Sequence, residues 1–180
     1  PAVPELELER ACARARGRRR AQEDACVVGG VHRVHLVGVF DGHDGGAASR
    51  STTLAAAEIF KGALGDGANA AASSNAVANA LEATIARLDE YWAQSSGGAT
   101  VVLAASGEDG FAVAHAGDSA AYACFADSSG RARARRLTMD HGLDNADERK
   151  RLDALGVPIV RARGKARVGG ELLVTRALGG

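Results

Sequence analysis

The chain has 180 residues, long enough for one domain with its own core. Hydrophobic residues make up 46% and charged residues 24%, a globular balance that excludes a disordered chain. The formal net charge is +0 and aromatics are 4%, so neither overall charge nor base-stacking side chains point to nucleic acid or an anionic membrane.

Charge is uneven locally. Arg10, Arg14, Arg16, Arg18, Arg19 and Arg20 crowd the start, Arg131, Arg133, Arg135 and Arg136 follow later, and Arg161, Arg163, Lys165 and Arg167 form a third cluster. These read as solvated faces. The cysteines Cys12, Cys26 and Cys124 are odd in number and widely spaced, with no C-x-x-C. That pattern predicts free thiols in an intracellular, reducing compartment, cytoplasm or nucleus, with Cys26 and Cys124 as inert core. No apolar run approaches the ~20 residues of a membrane-spanning helix, and no signal-peptide pattern is visible. The chain begins at Pro1, so an upstream targeting segment, organellar included, stays open.

In chain order, Leu6 and Leu8 alternate with acids and suggest a first strand. A second strand follows Glu23-Asp24, with Gly29-Gly30 as a hairpin signal leading into a third. That third strand, Val34 to Phe40, is apolar enough to be buried on both faces. It ends abruptly in Asp41-Gly42-His43-Asp44-Gly45-Gly46. In an antiparallel pair the two strand ends lie side by side, so Glu23, Asp24 and Asp41 should converge, with Arg19 near the same mouth. A carboxylate there is costly unless a cation or dense hydrogen bonding compensates it. Asp41 and the Gly42 carbonyl make a hard-oxygen site suited to Mg²⁺ or Mn²⁺; the plainer alternative is a polar turn.

A helix is expected from Ala47 to about Leu64, marked by Leu54, Ala57, Ile59 and Phe60 and stopped by Gly62, Gly65 and Gly67. Its amides would point at the Asp/Gly loop. A linker spans Ala68 to Ser74. A second helix carries Val77, Leu81, Ile85, Leu88 and Trp92, with Ser73, Ser74 or Asn75 as cap. Beyond Ser95-Ser96-Gly97-Gly98, Thr100–Ala105, Phe111–Ala116, Ala120–Phe125 and Arg131–Leu137 read as a meander of four antiparallel strands. Asp118 interrupts it as a turn residue or as another acid aimed at the site. Asn145 and Glu148 have capping-box spacing before a short helix with Leu152 and Leu155 inward and Gly156 as stop. Arg161 to Gly170 reads as a mobile flap, and Glu171 to Leu178 as a last strand. Mixed strands and helices indicate an α+β layered domain.

The motifs Arg19-x-x-x-Glu23-Asp24, Val39-Phe40-Asp41-Gly42-His43-Asp44-Gly45, Ser96-Gly97-Gly98-Ala99-Thr100, Ala116-Gly117-Asp118-Ser119, Leu137-Thr138-Met139-Asp140-His141, Glu148 to Gly156 and Leu173 to Gly179 stand in order along the chain. In that order they resemble the metal-dependent (type 2C, PPM) protein serine/threonine phosphatases. The resemblance implies a four-layer α-β-β-α sandwich of two antiparallel sheets flanked by helices, with residues 1–180 a single domain lacking its C-terminal part. It implies two Mg²⁺ or Mn²⁺ ions and a weak third. Asp41 resembles the bridging ligand, Glu23 and the Gly42 carbonyl contributors to one ion, and Asp24 a partner of bound water. Arg19 resembles the phosphate-holding arginine, His43 the proton donor to the leaving group, and Asp118 the acid of the third ion. The implied partner is a phosphoprotein substrate, for a monomer without nucleic-acid or membrane partners.

The match departs from the family in places. The Ser-Asp-Gly strand end and Asp-Asn pair of the family's last third have no counterpart here. Gly180 stands where Asp is usual, and Ala120 where Arg is usual. A fragment of an active phosphatase, binding metal weakly and exposing apolar edges, is therefore expected; the alternative is an inactive pseudophosphatase serving as a phosphoprotein-binding or regulatory module.

Overall fold

A computed structural model describes residues 9–31, 33–65, 72–93 and 96–179. The strand expected at Leu6 and Leu8, the stop at Gly67, most of the linker, Ser95 and Gly180 lie outside the described residues. The architecture is α+β. A four-stranded antiparallel sheet runs in the order β1 (Asp24–Val31), β2 (Val34–His43), β3 (Gly98–Ser106) and β4 (Phe111–Ala116). Helices α1 (Ala47–Leu64) and α2 (Ser74–Trp92) cover one face, α1 over β1 and β2, α2 over β3 and β4.

Period-two alternation builds the core. Ala25, Val27, Leu36, Phe40, Val101 and Leu103 point toward the helices and are buried, meeting Phe60 of α1 and Val77, Leu81 and Leu88 of α2. Each of the valine, leucine and phenylalanine side chains among them contributes about 1.5–3 kcal/mol on leaving water. Gly38 sits on the same inward side; a Cβ there would come within 2.3 Å of the Leu103 side chain. Leu178 also reaches the core, exchanging backbone hydrogen bonds with Ala99 at 2.8 and 3.2 Å.

Several expectations are corrected. The strand Val34–Phe40 is not buried on both faces: Val39 is 45% exposed, and so is Val28 beside it at 44%, because no helix covers that side among the described residues. The hairpin turns between Val31 and Val34, and Gly29-Gly30 lie inside β1 opposite Leu36 and His35. Leu54 is 82% exposed; the buried stripe of α1 is Ala48, Ser49, Thr52, Ala56 and Phe60, with Gly65 as its C-cap. On α2, Ser73 is the N-cap, its hydroxyl accepting from Ala76 N–H.

The expected four-strand meander is split. β4 does not pair with β5 (Tyr122–Ala126); β5 pairs with β6 (Ala132–Arg136) as a separate two-stranded sheet. Gly117, at φ +106, turns the chain out of the first sheet. Helix α3 (Ala146–Ala154) is capped by Asn145, whose side chain accepts from Asp147 N–H. Glu148 does not complete a capping box. Its carboxylate is instead buried against Arg176, Arg151 and Thr175. Leu152 is inward, but Leu155, at the C-cap, is 64% exposed.

The stretch expected as a flap is a β-hairpin, β7 (Ile159–Ala162) and β8 (Lys165–Val168), turned by Arg163 and Gly164 at positive φ. Glu171 to Leu178 is no strand. It is held by isolated bridges, Gly142 to Val174 and Ala99 to Leu178.

The cysteines also differ from expectation. Cys12 and Cys26 are joined in a disulfide, and Cys124 is free and exposed on β5. Cys12 reaches Cys26 because the chain folds the Arg-rich segment back across β1, where Arg10 and Arg14 donate to the Gly29 and Asp24 carbonyls. The reducing-compartment expectation thereby loses the support it drew from free thiols. No helix among the described residues is long and apolar enough to cross a membrane.

Candidate functional site

The β1–β2 register decides where the acids go. Asp24 lies directly opposite Asp41, so both side chains leave the same face at the same end of the sheet. Glu23, one residue earlier, closes the corner: its backbone carbonyl accepts from Gly42 N–H at 3.1 Å, and its Oε1 accepts from Gly45 N–H at 2.9 Å. The Ser49 hydroxyl, in the first turn of α1, donates to the same Glu23 carbonyl. A Cβ on Gly42 would sit 2.8 Å from that carbonyl and 3.0 Å from Ser49 Oγ, so only glycine fits.

Asp118 arrives from the other side. Thr100 is the β3 partner of Asp41, and its hydroxyl is hydrogen-bonded to Ser119 at 2.6 Å. That bond ties the β4–β5 turn, and Asp118 with it, to the acid pair. Arg19 stands on the loop before β1. There the chain turns through Gly17 at φ +57, and Arg19 N–H bonds to the Arg16 carbonyl. His43 ends β2 opposite Gly98. Its Nδ1 is 3.3 Å from Asp44 Oδ2, and its Nε2 is packed against Gly98, buried and without a hydrogen-bond partner among the described residues.

All seven residues singled out from the sequence (Arg19, Glu23, Asp24, Asp41, Gly42, His43 and Asp118) line one cleft of about 1110 Å³. Sequence reasoning left out of the site other polar members of its wall, among them Arg16, Thr100, Arg163 and Arg167. The Arg163-Gly164 dipeptide between two short β-prone runs was the available signal for Arg163 and Arg167.

The electrostatics match this geometry. Although Asp41 is open to the cleft, its carboxyl is pushed above its ordinary value. Surrounding protein mass comes first, then the charge and hydrogen bond of Asp24 and the charge of Asp118; Arg19 works in the opposite direction. Acids crowded this way favour a proton or a cation between them. The donors are hard oxygens, the chemistry that suits Mg²⁺ or Mn²⁺. Among the described residues, no three acidic, histidine or cysteine side chains stand close enough to hold an ion on their own. The cluster fits such an ion only with the Gly42 carbonyl, water or further ligands completing it.

Comparison with known proteins follows the same line. The sequence profile of the protein phosphatase 2C family matches residues 9–180. The chain is 36% identical to "Probable protein phosphatase 2C 32" of Oryza sativa subsp. japonica, over 93% of its own length and 43% of that relative. In three dimensions it is similar to a C. elegans sex determining protein, with TM-score 0.75 and 26% identity over 93% of this chain and 43% of that one. It also shares its fold with a serine-threonine phosphatase 2C from Toxoplasma gondii, with TM-score 0.63 and 22% identity over 78% of this chain and 52% of that one. The chain thus spans less than half the length of that curated relative.

Proposed function

The chain belongs to the protein phosphatase 2C family, and from that premise we propose that its cleft hydrolyses phosphoserine and phosphothreonine esters in proteins with Mg²⁺ or Mn²⁺. The observation that supports this most is the cross-strand pairing of Asp24 with Asp41, with Arg19, Asp118 and His43 lining the same cleft. Asp41, Glu23, Asp24, Asp118 and the Gly42 carbonyl would hold two ions and a weaker third. Ions held there would supply positive charge for the phosphoryl oxygens and acidify an attacking water.

The protein's own groups do the rest. Arg19 has a planar, permanently charged guanidinium that can grip two phosphate oxygens at once. It makes no other side-chain bond among the described residues and is free to do so. His43 Nδ1 lies 3.3 Å from Asp44 Oδ2, and since an ionised carboxylate can only accept, the hydrogen of that contact sits on Nδ1. Asp44 is exposed, so a leaving serine or threonine oxygen can displace it and take that proton. The bond from phosphorus to the ester oxygen breaks, the bond to water oxygen forms, the His43 proton ends on the alcohol, and a proton of the attacking water passes through solvent to restore His43. Gly98 supports this placement: any side chain there would meet His43 Nε2 at 2.6 Å.

The test is phosphate release from a phosphothreonine peptide by the whole protein, with Mn²⁺ and then with EDTA. Release that EDTA abolishes is the expected result. Release indifferent to EDTA rejects the metal mechanism, and peptide binding without release favours a phosphoprotein-binding module.

A further inference from the structure

Resting on the phosphatase reading, in which His43 protonates the leaving oxygen, we propose that Trp92 is a positioning residue that sets where the His43 ring stands in the cleft. Trp92 is the last residue of α2 and is not among the residues lining the cleft. It acts through Gly97 and Gly98, which lead the chain into β3. Two consecutive glycines have wide conformational freedom and no side chains of their own to pack, so their position depends on what holds them.

The indole Nε1–H donates to the Gly97 carbonyl at 2.9 Å, while the ring packs against the core. An indole is suited to this place because it fills apolar space and still carries a donor at its rim. Gly97, at φ +74, lies so close to the end of β2 that a Cβ would meet the His43 carbonyl at 2.8 Å. Gly98 is the cross-strand partner of His43. A Cβ on Gly98 would stand 2.6 Å from His43 Nε2, 2.8 Å from its Cε1 and 2.7 Å from the Leu178 carbonyl. The imidazole therefore rests on the Gly98 backbone. Its Nε2 makes no hydrogen bond among the described residues, so packing on Gly98 and the Nδ1 contact with Asp44 are what orient it. The other contacts of this corner hold the same turn. Leu178 exchanges backbone bonds with Ala99, and Gly179 N–H donates to Asp89 Oδ1 of α2 at 2.8 Å. A Cβ on Gly179 would meet the indole Cδ1 at 2.5 Å, so the indole is wedged between Gly179 and the Gly97 carbonyl. Proton transfer is sensitive to placement on the scale of an ångström, which gives this support a catalytic consequence.

The experiment compares two substrates of the whole protein in Mn²⁺. A threonine oxygen leaves only with a proton, whereas p-nitrophenolate is a stable anion and leaves without one. Trp92→Phe keeps most of the apolar packing and removes the N–H. It should lower kcat on a phosphothreonine peptide about 10-fold or more, and change kcat on p-nitrophenyl phosphate by less than about 2-fold. His43→Asn should show the same asymmetry, and adding Trp92→Phe to it should cost nothing further, as for two residues that act through one group. Lost stability alone lowers both substrates alike, as Leu88→Ala in the buried core of the same helix should. A second readout needs no turnover: in the metal-free chain, the nuclear Overhauser contact between His43 Hε1 and the Gly98 α-protons should weaken in Trp92→Phe. Should phenylalanine unfold the chain, benzothienylalanine at position 92 keeps the bicycle and lacks only the N–H, and the same readouts apply. Equal losses on both substrates in Trp92→Phe, a further loss in the double variant, or an unchanged His43–Gly98 contact overturns the proposal. Equal losses on both substrates in His43→Asn, beside a weakened contact in Trp92→Phe, support the placement and reject the proton-donor role of His43, which tests the phosphatase reading separately.

Discussion

At the scale of single residues, Asp41 carries opposing demands. Its carboxyl is held above the ordinary aspartate range by the protein mass around it and by Asp24 and Asp118. A raised folded-state pKa means that stabilisation is complete below the unfolded value of 3.8 and is lost as pH rises through the folded value. At neutral pH without metal, ionised Asp41 therefore works against folding. Asp41→Asn should raise the melting temperature in EDTA at pH 7, by about a degree or two since the group faces the open cleft, and leave it unchanged near pH 3. The same variant should lose roughly 100-fold or more in Mn²⁺-dependent turnover. Calorimetry at the two pH values checks the first outcome and phosphate release the second. Glu148 behaves oppositely. Hydrogen bonds from Arg176, Thr175 and Arg151 hold its carboxyl far below the usual range. Its contribution is present above the unfolded value of 4.5 and fades as pH falls toward the depressed one. Glu148→Gln should cost about 1–3 kcal/mol in urea unfolding at pH 7, with the loss shrinking below pH 4, because both arginines are partly solvated.

At the scale of elements, the β1–β2 hairpin shows how far the sequence could be read. Glu23, Asp24 and Asp41 announced a shared corner because strand ends meet in an antiparallel pair. The strongest local turn signal, however, is Gly29-Gly30. A turn there would pair Val28 with Val31 and set Asp24 against His35, six residues short of Asp41. The observed reversal between Val31 and Val34 is what aligns Asp24 with Asp41. Core register overrode turn propensity, since the inward positions Ala25, Val27, Leu36 and Phe40 fill only in that register. Long-range pairing was harder to read: the split between β4 and β5 and the role of Glu148 depend on contacts distant in sequence. So does the Cys12–Cys26 bond, which closes a loop carrying Arg16, Arg19 and Glu23 of the cleft wall. Reduction of that bond, or Cys26→Ser, should lower stability by up to about 3 kcal/mol, the entropy of a closed loop near 15 residues. It should also open the Arg14–Arg20 stretch to trypsin. Denaturant titration with and without a dithiol, together with timed proteolysis, measures both; unchanged midpoints and unchanged cleavage would show that the bond holds nothing in place.

At the scale of the whole molecule, one helical layer on one sheet builds a core, while the opposite face of that sheet leaves Val28 and Val39 in solvent. The cleft sits at one end of that sheet: strand register sets Asp24 against Asp41, and the loop before β1 and the β7–β8 hairpin supply the arginines. The account stands on the acids of β1 and β2 sharing a divalent ion, and a Mn²⁺ titration of the purified chain tests that most directly. Calorimetry should show saturable Mn²⁺ binding that weakens roughly 10-fold or more in both Asp24→Asn and Asp41→Asn. Native-like Mn²⁺ binding by Asp41→Asn, or no binding by the unaltered chain, would contradict it.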